Sequence, residues 1–80
     1  MIDVATNKPI RVLTAERASP FIRVSRDHLG KVAKLLEEHH IRHWAEHQSI
    51  SVNGGPFIGV IHLYEGIDPN VVQDILDRAE

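Results

Sequence analysis

The residues best suited to chemistry in this chain are its histidines, six in 80 positions. His39, His43 and His47 recur at intervals of one helical turn, and Glu46 stands directly before the last of them. On one continuous helix this spacing would align the three imidazoles on a single face. There they could ligate Zn²⁺ beside a carboxylate able to activate water. A metal site is therefore one hypothesis, provided that the helix continues beyond His47.

The segment His43-Trp44-Ala45-Glu46-His47 resembles the H-x-x-E-H motif of the inverted zinc metallopeptidases. Members of that class are much longer and take a further ligand well downstream, whereas here the candidate third ligand is Glu65, on no predicted helix. The first helix is also expected to stop at His39–His40, and the segment after Ile41 favours a strand over a helix. No hydrolase triad or dinucleotide-binding glycine pattern is present either. We therefore predict a non-enzymatic protein without a cofactor, and keep a metal- or small-ligand-binding module using His39, His43 and His47 as an alternative.

The elements that must position these residues are organised around Gly55–Gly66, the longest apolar run of the chain. Its β-branched and aromatic residues, bounded by turn signals, predict a strand with apolar side chains on both faces. Alternation places Phe57 and Ile61 on one face and Val60 and His62 on the other. One face can be covered by the chain's own helices, and what covers the other is the functional question.

Around this strand the pattern predicts the order β-β-α-β-β-α, or β-β-α-β-β-β-α if Ile41–Val52 forms two strands. Ile10–Leu13 and Pro20–Val24 are predicted strands, and Ile41–Val52 is two short strands or one broken near Glu46–Gln48. The first helix has Ser25 or Asp27 as its N-cap, and the second starts at Asp68-Pro69. Their predicted buried stripes are Leu29, Val32, Ala33, Leu36 and His40 in the first, and Val72, Ile75, Leu76 and Ala79 in the second.

This order predicts an α+β fold, a two-layer ferredoxin-like plait of permuted connectivity with both helices on one face of an antiparallel sheet. Residues 1–9 are expected to form a flexible leader and residues 10–80 a single domain. The stretch Arg23–Gly30 followed by Ile41 resembles the strand–loop–helix entry of ACT domains, which bind amino acids at dimer interfaces. The resemblance covers about twenty residues, lacks a proline before the glycine, and implies the fold only.

The open face, defined as the side of the sheet that the helices leave uncovered, is the predicted functional surface. Apolar and aromatic residues in one patch favour a partner, and a symmetric homodimer is the commonest solution. We therefore predict a small interaction or regulatory domain that acts by self-association or by binding another protein. The predicted interface residues are Phe21, Arg23, Ile58, Val60, His62 and Tyr64, with Trp44 or His43 alongside according to register. Charging of His62 would make such an interface pH-sensitive.

Composition argues against other partners. The stretch Gly55–Ile61 resembles the third-strand motif of RNA-recognition domains, but Gly59 stands where a second aromatic is needed. With a net charge of −2, single-stranded RNA binding is the third hypothesis. The absence of cysteine suits a reducing compartment. Without an apolar signal segment or a run of membrane-spanning length, the expected location is the cytoplasm.

Overall fold

The computed structural model describes residues 1–14, 19–46, 50–51, 54 and 57–79. The elements occur in the predicted order, and the chain is α+β. Their bounds are β1 Val12–Leu13, β2 Phe21–Ser25, α1 Arg26–Glu38, β3 His43–Ala45, β4 Ile50–Ser51, β5 Phe57–Leu63 and α2 Pro69–Arg78. The apolar run around which the chain is organised thus forms β5, the longest of these strands.

The strands form one antiparallel sheet in the order β1-β2-β5-β3, with β4 also paired to β5. Ile22 of β2 lies opposite Ile61 of β5, and the β2 pairing occupies one edge of β5 from Ile58 to His62. The partners β3 and β4 therefore both lie along its other edge. The prediction of two short strands between Ile41 and Val52 is confirmed, although residues 47–49 and 52 lie outside the described part.

The core lies between one side of the sheet and the two helices. Helix α1 packs on β2, β3 and β5, whereas α2 packs on β1. Gly59 allows the close approach of α1, because a Cβ there would lie 3.2 Å from Leu29 Cδ1. The fully buried apolar residues among those described are Ile22 and Val24 of β2, Ile61 and Leu63 of β5, Val32 and Leu36 of α1, and Val72 and Leu76 of α2. Ile10, just before β1, completes this core.

The start of α2 is fixed by its own capping residues, whereas α1 has no side-chain cap hydrogen bond at its start. At α2, Asp68 Oδ1 accepts a hydrogen bond from Asn70 N at 2.9 Å, and Pro69 opens the helix as predicted. At α1, Ser25 holds the N-cap position, but its hydroxyl makes no cap hydrogen bond. The first helix ends at Glu38, and His40 has a φ of 58° and is exposed. The prediction that His40 belongs to the buried stripe was therefore wrong, since the chain reverses before reaching it.

Residues 1–9, expected to be a flexible leader, form a small hairpin with Ile10, so that the first ten residues pack on the domain. Asp3 N donates to Lys8 O at 2.9 Å, and Ile10 N donates to Met1 O at 2.9 Å. The turn between them places Asn7 at φ 58°, a left-handed conformation that asparagine tolerates. Asp3 is only 4% exposed. The hairpin is held by this buried carboxylate and not by apolar contact alone.

The outer edge of β1 is closed by a side chain. Gln73, on α2, accepts a hydrogen bond from Val12 N through Oε1 at 2.8 Å. Its Nε2 donates to Ile10 O at 3.3 Å and to Asp77 Oδ1 at 2.9 Å. One amide therefore pairs with the N–H of β1 and with the C=O of the residue two positions before that strand, at this edge of the sheet.

Candidate functional site

The open face carries a row of three ring side chains that crosses three strands. Phe21 of β2 and Trp44 of β3 both pair with His62 of β5. Since residues opposite one another in a sheet share a face, the three rings lie side by side. Trp44 is 50% exposed. Among the described residues, this row is the largest aromatic group on the sheet.

His62 is held on both sides within this row. Its ring stacks on that of Trp44 with a centroid distance of 4.1 Å and an interplanar angle of 16°. The ring of Phe21 lies 6.5 Å away and is tilted by 39°. His62 Nε2 also lies 2.6 Å from Glu46 Oε1. A neutral His62 donates Nε2–H to this carboxylate, and a protonated one forms an ion pair with it.

A second row, beside the first, places opposite charges at its two ends. Arg23 of β2 pairs with Val60 of β5, and Glu46 N donates to Val60 O at 2.9 Å on the other edge. The guanidinium and the carboxylate therefore flank an apolar centre. Both are exposed, whereas Val60 is half-buried.

Together the two rows form the floor of an open depression of ≈ 700 Å³. Its charged groups are Arg23 on one side, Glu46 on the other, and Glu65, which follows β5. Arg42 lies over the ring of Tyr64, 4.8 Å from its centroid. The surface thus combines aromatic rings with charges of both signs, which suits a partner that is itself amphipathic and of mixed charge.

The structure brings together the residues that the sequence predicted for the open face. Phe21, Arg23, Val60, His62 and Tyr64 line the depression. Ile58 lies farther along the same side of β5, opposite Ser25, and there it borders the hairpin of the first ten residues. The alternative between Trp44 and His43 is resolved in favour of Trp44, because His43 pairs with Leu63, which belongs to the buried core.

The histidines of the metal hypothesis are separated by a change of secondary structure. His39 follows the end of α1, whereas His43 belongs to β3 and places its Nδ1 2.9 Å from Ile41 O. The helical alignment of His39 with His43 is therefore absent, and the strand interpretation is confirmed for His43. His47 lies outside the described residues. Within the part that the structure describes, no group of three potential metal ligands is found.

The same geometry bears on the RNA hypothesis. Gly59, which stands where the second aromatic of the RNA-recognition motif would be, is buried against Leu29 on the helix side. The carboxylates of Glu46 and Glu65 line the depression instead. They would repel a phosphate backbone approaching the rings.

A buried polar cluster at the start of α1 was not signalled by any sequence motif. Ser25 Oγ donates to Asp3 Oδ1 at 2.6 Å, and Ser25 N donates to Asp3 Oδ2 at 2.6 Å. Val4 N donates to His28 Nδ1 at 3.2 Å. Burial raises the pKa of Asp3, but hydrogen bonds from Ser25, Ala5 and Thr6 outweigh it, so the pKa lies below its ordinary value. Asp3 and Ser25 are 22 positions apart, so only the folded chain unites them.

Comparisons with models of protein families, with curated proteins and with solved structures found no match for this chain. None of its described helices has the length and apolar character needed to cross a bilayer. The candidate site is therefore argued from its own geometry.

Proposed function

We propose that this chain is a non-enzymatic association domain whose open face pairs with the open face of a second copy. The observation that carries the proposal is the ring row Phe21–His62–Trp44, which lies on the side of the sheet opposite the two described helices. Exposed aromatic residues are enriched at protein interfaces, where they bury a large area at low conformational cost. A partner of matching shape would remove Trp44, 50% exposed, from water.

The charge pattern favours a second copy as that partner. In a two-fold dimer with its axis parallel to β5, strand β2 of one copy lies over β3 of the other. Arg23 and Glu46 occupy the same cross-strand row on either side of Val60. The axis therefore sets each Arg23 against a Glu46, twice in the dimer. The surface is self-complementary without any rearrangement.

The size of the open face sets the expected strength. Ordinary strand spacing gives a face of roughly 20 Å by 20 Å, so a dimer would bury only about 800 Å² in total, which is below the range of stable interfaces and within that of weak, transient ones. Because so small an area leaves little free energy after the cost of association, we expect a reversible dimer with a dissociation constant in the micromolar range.

Charge reversal tests this arrangement. Arg23→Glu sets two glutamates against each other at both ends of the dimer, and Glu46→Arg does the same with two arginines. Each variant alone should therefore be monomeric in sedimentation velocity runs in which the wild type is dimeric. An equimolar mixture of the two variants should recover the dimer, because the glutamate introduced in one variant then meets the arginine introduced in the other across the axis.

A matched pair of apolar-to-acidic variants provides the control. Val60→Asp buries a carboxylate at the centre of the proposed interface and should abolish dimerisation, whereas Val71→Asp, at a valine 51% exposed on α2, should not. Circular dichroism would verify that both remain folded. A wild type that is monomeric throughout the micromolar range would refute the proposal, as would two single variants that still dimerise.

The predicted plait of permuted connectivity belongs to the same proposal. In a ferredoxin-like plait the last strand lies beside the first of the β-α-β-β-α-β order. Here β1 precedes that order and lies beside β2, which supports the view that it fills the position of the missing last strand. The Met1 amino group lies 2.6 Å from Leu76 O on α2, so joining Ala79 to Met1 by a short linker and opening the chain between β1 and β2 would then give a folded permutant with ordinary plait connectivity.

A further inference from the structure

The centre of the proposed interface is occupied by His62, an ionisable ring that shares the Glu46 carboxylate with a second partner. His62 lies on β5, the strand parallel to the two-fold axis, and its side chain is 27% exposed. Its Nε2 is 2.6 Å from Glu46 Oε1, and its ring is stacked on Trp44. Glu46 is also the residue that the dimer sets against Arg23 of the second copy.

We infer that His62 is a proton switch for this association, a step that rests on the proposed function. In the separated chain an imidazolium is well accommodated, because Glu46 neutralises it and the face of an indole attracts cations. In the dimer the axis brings the two His62 side chains toward each other under desolvated conditions. Two charged rings there would repel each other, so protonation favours the monomer.

Protonation of His62 also weakens the ion pair between Glu46 and Arg23 of the second copy. A neutral His62 leaves the full carboxylate charge available to Arg23 of the other copy, whereas an imidazolium competes for it. Both effects have the same sign. The dimer is therefore expected to weaken as the pH falls.

Within the part of the chain that the structure describes, the other charged or titratable side chains around His62 are not histidines. They are Arg23 on β2, Arg42 and Glu46 directly before and after β3, and Tyr64 and Glu65 directly after β5. Guanidinium, carboxylate and phenol groups ordinarily keep one charge state between about pH 5 and pH 8, in which histidine changes its own. The switch is thus assigned to His62 by position and by chemistry.

Sedimentation velocity of the wild type at about pH 8 and about pH 5.5 should show a dissociation constant at least about tenfold larger at the lower pH. His62→Gln keeps an N–H donor for Glu46 but cannot become charged, so its dimer should be insensitive to pH. His39→Gln, at an exposed histidine after α1, should retain the full pH dependence.

The outcomes separate the two proposals. Equal dimer strength at both pH values would overturn the switch and leave the association intact. A pH-dependent dimer in His62→Gln would assign the effect to another group and overturn it as well. A wild type that is monomeric even at about pH 8 would refute both proposals, and circular dichroism at each pH would exclude acid unfolding as the cause of dissociation.

Discussion

At the scale of single residues, Asp3 shows how one carboxylate fixes a segment that composition alone suggests is loose. It accepts hydrogen bonds from the hydroxyl and the backbone N–H of Ser25, and another from Ala5 N at 2.9 Å. These bonds stabilise the charged form at a buried position. Neither residue is unusual by itself in the sequence, so the pair could not be predicted without the fold.

Asp3→Asn should lower the free energy of unfolding at neutral pH by about 1–3 kcal/mol, because an amide cannot accept all three bonds. The pKa of Asp3 is lowered from 3.8 in the fold, so its contribution is complete above that value and is lost as the pH falls through the folded value. The free energies of unfolding of the two proteins, measured by urea titration, should therefore become equal in strong acid. Asp74→Asn, in an exposed pair with Arg78, is the control and should change stability by less than about 1 kcal/mol. Equal stability of Asp3→Asn and wild type at neutral pH would contradict the assigned role.

The two described glycines within helix and strand should respond oppositely to a side chain. Gly30 lies in α1 with nothing within 4 Å of an added Cβ. Gly30→Ala should raise the free energy of unfolding by up to about 1 kcal/mol through helix propensity. At Gly59 an added Cβ would lie 3.2 Å from Leu29 Cδ1, so the bulkier Gly59→Val should lower it by about 1–3 kcal/mol. Thermal melts would measure both, and a stabilised Gly59→Val would show that α1 has room to shift.

At the scale of elements, the predictions that rested on local chemistry were the accurate ones. Asp68 and Pro69 specify the start of α2 by their own hydrogen bonding and fixed φ. The end of α1 at His39–His40 was also predicted, and the helix ends at Glu38, although no capping residue there excluded a continuation through His43 and His47. The choice between Trp44 and His43 on the open face depended on the β3–β5 register, which pairing of distant residues sets.

The contact between α2 and β1 has a test of its own at this scale. Gln73→Ala leaves Val12 N and Ile10 O without the amide that pairs with them. We expect the free energy of unfolding to fall by about 1–2 kcal/mol, the usual loss for such bonds. Asn70→Ala, at an exposed amide on the same helix, should have a smaller effect. Chemical denaturation would decide, and an unchanged midpoint for Gln73→Ala would remove the role given to this side chain.

At the scale of the whole molecule, the alternation of β5 predicted which residues share a face but could not show how they interact. Val60 and His62 on β5, and Phe21 and Arg23 on β2, were grouped correctly because the strand period is two. The stacking of Trp44 on His62 and its link to Glu46 depend on a third strand whose register is not local. The open face was thus predictable as a surface, and its internal geometry was not.

The amide of Gln73 has a consequence for how such molecules accumulate. An edge strand with unpaired backbone N–H and C=O groups can pair with a strand of another chain, and repeated addition of this kind leads to fibrils. With Ile10 O and Val12 N already engaged, addition at these two groups of the β1 side is blocked. Crowded solutions of Gln73→Ala should therefore bind amyloid-specific dyes sooner than the parent protein, even under conditions in which both remain native.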